Sequence, residues 1–153
     1  MMSPYLFRHI GLGADRSIPD PDPIGYELPI ADRDVVNISL ARAANVYMQT
    51  HYNQISSVYH LASTLKVEVH ELVAAYKRVY SRDIGMALKL KKLKAAQRLL
   101  AQTSLELKEI AREAGWYEYY DFLAAFRYYV GMPPAAFREL PYSEQISALT
   151  HSG

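Results

Sequence analysis

Phosphate-neutralising chemistry is the first that the residue types of this sequence suggest. Residues 77–98 carry eight basic side chains (Lys77, Arg78, Arg82, Lys89, Lys91, Lys92, Lys94 and Arg98) against one acid, Asp83. That stretch has a net charge of +7 inside a chain of net +1, so everything else together is −6. Any polyanion contact is expected to centre there. A second group is aromatic: Tyr117, Tyr119 and Tyr120, with Tyr128 nearby. Tyrosines clustered in this way suit base contacts, the core of a protein interface, or packing against the N-terminal arm of the chain. Other chemistries find no support. There are no cysteines, which removes disulfides, thiolate metal sites and cysteine nucleophiles. His51, His60 and His70 do not share a helix face. His70-Glu71 is followed by Leu72, Val73 and Ala74, so the second histidine of the HExxH zinc motif is missing. No serine–histidine–acid set or close carboxylate pair in an apolar setting is visible. The sequence predicts no enzyme, no catalytic residue, no cofactor and no metal.

These side chains must be positioned by helices. The chain has 153 residues, half of them hydrophobic, which is enough for one compact domain with or without a tail. Residues 1–31 hold five of the eight prolines and three of the seven glycines. Proline lacks a donor and restricts its predecessor, so Pro19, Pro21 and Pro23 cannot lie in a helix. Residues 1–33 are expected to form an extended arm, ordered where Tyr5, Leu6, Phe7, Tyr26 and Leu28 can pack. Gly11-Leu12-Gly13 is not a phosphate loop, since no strand precedes it and no helix follows. Met1–Ile10 has the wrong order of charge and apolar residues for a signal peptide, and no run of about eighteen apolar residues exists. A cytoplasmic chain is the expectation.

From Asp34 onward the apolar spacing is helical and no strand pattern competes. It predicts an all-α domain over 34–140 with about seven helices: 34–51, 55–65, 69–80, 84–102, 105–113, 117–129 and 133–140. In the first, Val35, Ile38, Leu40 or Ala41, Val46 and Tyr47 carry the spacing. In the long fourth helix Leu88, Leu93, Ala96, Leu99 and Leu100 point inward and the lysines outward, where they form a phosphate stripe or a solvated face. Thr103-Ser104 offers a cap for the helix that follows. Gly115 supplies a positive φ, and Pro133 opens the last helix where its missing donor costs nothing. The tail, 141–153, is expected to fray.

Two helix–turn–helix units emerge, 55–80 and 105–129, joined by helix 84–102. The second carries a dense signature: Ile110-Ala111, Gly115-Trp116, Phe122, Phe126-Arg127, Gly131-x-Pro133 and Phe137-Arg138. A looser form runs from Leu61-Ala62 through Val67 and Leu72 to Tyr76-Lys77. Over roughly 38–139 the chain resembles the DNA-binding domain of the AraC/XylS family of bacterial transcription regulators. The interval from Ala62 to Tyr76 is fourteen residues and that from Ala111 to Phe126 fifteen, a difference the family shares. Leu93, Ala96, Leu99-Leu100 and Thr103 match its joining helix. The resemblance implies binding of double-stranded DNA by two recognition helices. A joining helix of about nineteen residues spans roughly 28 Å, close to the ~34 Å of one duplex turn, so both helices would enter successive major grooves. Most members add a sensing or dimerising domain. Residues 1–37 are too few and too proline-rich for one, which suggests a short stand-alone regulator of the bacterial nucleoid or a piece of something longer. A monomer or weak dimer is expected.

The reading positions depart from the family. Its recognition helices typically carry an arginine two residues before each motif aromatic; here those positions are Ala74 and Ala124. Around them stand Glu68, His70 and Glu71 in the first motif, and Glu118, Tyr119, Tyr120 and Asp121 in the second. Lys66 replaces a usual glycine and Tyr117 a usual serine cap. The expected nucleic-acid contacts are Lys66, His70, Lys77, Arg78, Arg82, Tyr119, Tyr120 and Arg127. The alternative is a domain repurposed for a protein partner, held on the acidic, tyrosine-rich face at Tyr117, Tyr119 and Tyr120.

Overall fold

Eight α-helices and one 3-10 turn make up the described part of the computed structural model, residues 30–151, and no strand occurs among them. In chain order they are α1 (Ile30–His51), the turn Tyr52–Gln54, α2 (Val58–Leu65), α3 (Val69–Tyr80), α4 (Ile84–Gln102), α5 (Leu107–Glu113), α6 (Tyr119–Val130), α7 (Pro134–Glu139) and α8 (Tyr142–His151). The all-α expectation is met, with one helix more than anticipated. The arm residues Tyr5, Leu6, Phe7, Tyr26 and Leu28 lie outside the described residues, but 30–33 are already helical.

The chain divides into two compact units, 30–47 with 57–84, and 48–56 with 85–151 among the described residues. In the first, α1 buries Leu40, Ala41 and Ala44, α2 buries Leu61 and Ala62, and α3 buries Leu72, Ala75 and Tyr76. The alanines let neighbouring backbones approach closely. The Tyr76 hydroxyl, sunk between helices, donates to Asn45 Oδ1 on α1 at 3.4 Å, and burial raises its pKa, with Tyr80 adding to the effect. Val35 and Val46, expected inward, are 62% and 59% exposed. The buried stripe runs through Leu40 and Ala44, an i, i+4 pair that puts those valines on the other side. The second helix starts at Val58 rather than residue 55, because Ser57 caps it by accepting from His60 N at 3.1 Å while Ile55 is extended and buried.

The second unit is built on aromatic rings. Trp116–Phe122, Phe122–Phe126 and Phe126–Phe137 have centroids 6.0, 5.7 and 5.7 Å apart, and the three phenylalanines are fully buried. Leu93, Ala96 and Leu100 of α4 and Ile110, Ala111 and Ala114 around α5 complete this core. Such tilted and edge-on pairs are the favoured aromatic geometries. The expected cap at Thr103-Ser104 is displaced to Glu106. Thr103 Oγ1 instead donates back to Leu99 O at 2.7 Å and accepts from Leu105 N at 3.4 Å. Glu109 then accepts from Glu106 N at 3.1 Å, so α5 begins at Leu107.

The tail does not fray at residue 141. Buried Gln145 donates from Nε2 to Phe137 O at 3.0 Å and Arg138 O at 3.1 Å, carbonyls in the last turn of α7, the first of which also accepts from Leu140 N at 3.2 Å. Ala148 packs on the aromatic core. A polar side chain, invisible to apolar periodicity, docks α8.

Candidate nucleic-acid interface

Each unit presents one helix in the same local frame. The turn before α3 is made by Lys66, at φ +57°, with Lys66 N donating to Ser63 O (3.2 Å) and Val67 N to Ala62 O (3.0 Å). The turn before α6 is made by Gly115, at φ +91°, with Gly115 N donating to Arg112 O and Trp116 N to Ala111 O, both at 2.9 Å. These paired bonds terminate α2 and α5 alike, as in a left-handed helix cap. Two residues after Lys66 comes the N-cap Glu68, but three after Gly115 comes Glu118. Tyr117 is the inserted residue, 94% exposed. It is therefore a turn residue and not the cap itself.

From the caps onward the two helices correspond residue for residue. Both have twelve residues, and Val69–Tyr80 maps onto Tyr119–Val130 with an offset of fifty. Leu72 and Tyr76 are buried where Phe122 and Phe126 are buried. Each helix ends on a left-handed residue, with Ser81 N donating to Lys77 O at 2.8 Å and Gly131 N to Arg127 O at 3.0 Å. The outward ridges also match: His70, Ala74 and Lys77 on α3, and Tyr120, Ala124 and Arg127 on α6, all exposed. At about 100° per residue these i, i+4, i+7 positions fall within a ~60° arc. Each ridge thus carries a ring, a methyl and a cation, in that order.

The other expected contacts are placed unequally. Lys66 is exposed at the first turn and Arg82 just beyond α3. Arg78 is held by Asp34 of α1, Nη2 to Oδ1 at 3.0 Å, so its guanidinium is already partnered. Tyr119 was expected on the exposed face. It is instead half-buried, packed on the aromatic core 6.3 Å from Phe122, with Lys108 Nζ 5.8 Å above its ring. Tyr120 is 80% exposed. The structure therefore brings His70, Lys77 and neighbouring Lys66 and Arg82 to the first motif's surface, Tyr120 and Arg127 to the second's, and leaves Tyr119 beneath.

The lysines of α4 do not form an outward stripe. Lys92 is buried, and its Nζ donates to Ile55 O at 2.6 Å and to Gly115 O at 2.9 Å. Burial pushes its pKa down. Lys89 lies 5.8 Å from the centre of the Tyr129 ring. Lys89, Lys91 and Lys94 are half-buried, so the charge concentration of 77–98 is only partly available to a phosphate. Sequence reasoning missed Lys92 because a lysine in a lysine run reads as solvated. It missed the Asp34 partner because no local spacing links residues so far apart.

Among the described residues no group of three or more histidine, cysteine or acidic side chains is placed to hold a metal ion. No helix there is long and apolar enough to cross a membrane.

A pair of tri-helical motifs with matched recognition helices, joined through a long helix, defines the double helix–turn–helix domain of AraC/XylS-type regulators. Residues 61–140, just over half of the chain, match the family model described as a helix-turn-helix domain, and the chain belongs to this family. The fold is similar to the C-terminal domain of AraT, a response regulator from Geobacillus stearothermophilus, with 26% identity, a TM-score of 0.61, and coverage of 65% of this chain and 83% of that one. It is also similar to the C-terminal domain of the two-component response regulator yesN from Fusobacterium nucleatum, with 22% identity, TM-score 0.58, and coverage of 67% and 97%. The DNA-binding domain of AdpA, a global transcriptional factor solved in complex with a target DNA, matches with 22% identity, TM-score 0.57, and coverage of 65% and 88%. No curated protein sequence matches the chain.

Proposed function

We propose that this chain is a transcription regulator that binds double-stranded DNA with α3 and α6 as its recognition helices. The observation that carries the reading is the twofold recurrence of one exposed ridge, ending in Lys77 and Arg127 at equivalent places in their helices. A helix whose last turn carries an exposed cation can be fixed on the backbone by a phosphate, leaving its earlier turns to face base edges. Lys66 and Arg82 add exposed charge around α3. His70 and Tyr120 are the groups facing bases, and Tyr119 supports Tyr120 from 6.0 Å away. The AdpA domain, solved on its target DNA, supports the reading through its shared fold.

The test is binding of the whole chain to random duplex DNA by fluorescence anisotropy across salt concentrations. Log affinity should fall linearly with log salt, with a slope of about −0.9 for each phosphate neutralised. Absence of binding at low salt would reject the proposal. Charge reversal at Lys77 or Arg127 should reduce the slope by about one unit each.

A second reading rests on Tyr117 and Tyr120, exposed beside Glu118 and Asp121. Exposed tyrosines are enriched at protein interfaces, and acids oppose phosphate. On this reading α6 engages a protein partner while DNA binding is weak or absent. Tyr117→Ala and Tyr120→Ala would then abolish a partner complex in a pull-down and leave the salt slope unchanged.

A further inference from the structure

We infer that α3 and α6 read the thymine edge in the major groove, through Ala74 and Ala124 packed on the C5 methyl and His70 and Tyr120 donating to O4. The inference rests on the DNA-binding reading above and specifies what that surface recognises.

The first two turns of each recognition helix, 69–75 and 119–125, contain no arginine, lysine, asparagine or glutamine. Bidentate readout of guanine needs arginine or lysine, and that of adenine needs asparagine or glutamine. Both are unavailable where the helices would face bases. What is available repeats. His70 and Tyr120 are exposed, each can donate one hydrogen bond, and each is followed four residues later by an exposed alanine methyl. Thymine presents a matching pair, the O4 acceptor beside the C5 methyl, and no other base does.

Cytosine is the competing pyrimidine, since carboxylates accept from its N4 amino group. Asp121 is exposed but sits about 100° around the helix from Tyr120, off the ridge. Its counterpart Glu71 is half-buried on α3. The acids therefore flank the ridge and the donor–methyl pair occupies its crest. The alanines also bring the helix axis closer to the base edges than an arginine would. A short side chain in both units at the same register makes the methyl contact available twice.

Select a bound duplex from a random pool with the whole chain, then resynthesise it with deoxyuridine in place of thymidine. Deoxyuridine keeps O4 and loses only the methyl. Affinity by anisotropy should drop about fourfold for each contacted methyl, the equivalent of one buried carbon. In Ala74→Gly and Ala124→Gly the thymine-to-uracil ratio should move towards one. Any loosening of the helix by glycine lowers both affinities together and leaves the ratio intact. Tyr120→Phe should weaken the thymine and uracil duplexes equally, since both retain O4. Equal affinity of the wild-type chain for the two duplexes would overturn the inference while leaving DNA binding in place. So would recovery of affinity when 5-methylcytosine replaces the contacted thymines, since it has the methyl beside a donor. Failure to bind any duplex at low salt would remove both proposals at once.

Discussion

The two motifs solve one geometric problem with different residues. Each must turn the chain sharply before its recognition helix and stop that helix with a left-handed residue. The second motif does so with Gly115 and Gly131, the first with Lys66 and Ser81. A left-handed residue with a Cβ costs about 1–2 kcal/mol relative to glycine. The second motif also clamps its turn from below, since Lys92 holds Gly115 O. The first motif is therefore a strained version of the second, kept in shape by its surroundings. The lesson is that the matched ridges do not depend on glycine. Any residue suffices where the turn is open, whereas glycine is required where another backbone passes close by.

That last point gives the largest expected effect. A Cβ on Gly115 would lie 2.5 Å from Asn53 Cα, so backbone and not a yielding side chain blocks it. Gly115→Ala should cost at least about 3 kcal/mol in urea unfolding, combining the positive φ with overpacking. A cost below about 1 kcal/mol would break the contrast between the turns. Gly131 has open space around the same position, so Gly131→Ala should cost only its conformational term, about 1 kcal/mol.

Next in size is Lys92→Met, which keeps the stem and removes the donor. Two carbonyls, Ile55 O and Gly115 O, would lose their partner, for a loss of about 2 kcal/mol at neutral pH. The loss should depend on pH in a definite direction. Burial places the folded-state pKa of Lys92 below the ordinary 10.5. The unfolded chain thus binds more protons between the two values, and wild-type stability rises with pH across that interval. Measured against Lys92→Met, the wild-type advantage should widen as pH increases towards 10.5. The neutral amine still has two N–H donors for the two carbonyls. A constant difference across that range would show that Lys92 is not desolvated.

Smaller still, Lys66→Gly should raise stability by about 1 kcal/mol through relief of the left-handed strain. It removes a cation, so the salt slope of DNA binding should become shallower if Lys66 touches phosphate. The smallest effect is expected from Asp34→Asn. An exposed ion pair contributes only about 0–1 kcal/mol, and Asp34 and Arg78 are both half-exposed or more. Stability should barely change, while release of Arg78 should steepen the salt slope by up to about one unit. An unchanged slope would show that Arg78 does not reach the backbone.

Much of this was legible beforehand because the signals were apolar and local. The spacing of Ile110, Ala111, Phe122, Phe126 and Phe137 defined the second unit, and the fourteen-versus-fifteen interval anticipated an insertion that the structure places at Tyr117. The turn at Lys66 was visible as a residue standing where glycine is usual. Polar anchors were not legible. Gln145 docks α8 by hydrogen bonds that apolar periodicity cannot register, and Lys92 hides in a run of look-alike charges. Tyr119 has neighbours on both sides that are exposed, so only the packing of Phe122 and Lys108 reveals that its ring is covered. For the candidate interface, the sequence pointed to the two helices and the alanines at matching places, and the structure supplied the shared register of their exposed ridges.

The left-handed Lys66 and Ser81 have a consequence for how this protein can change over generations. Strain that a single substitution can remove is a stability reserve. Recognition surfaces are acquired by mutations that mostly destabilise, and a domain near its threshold tolerates few of them. Here the first motif carries two positions where glycine would return about 1–2 kcal/mol each, while the second has already used that option. Substitutions on the exposed ridge should therefore be tolerated more readily on α3 than on α6.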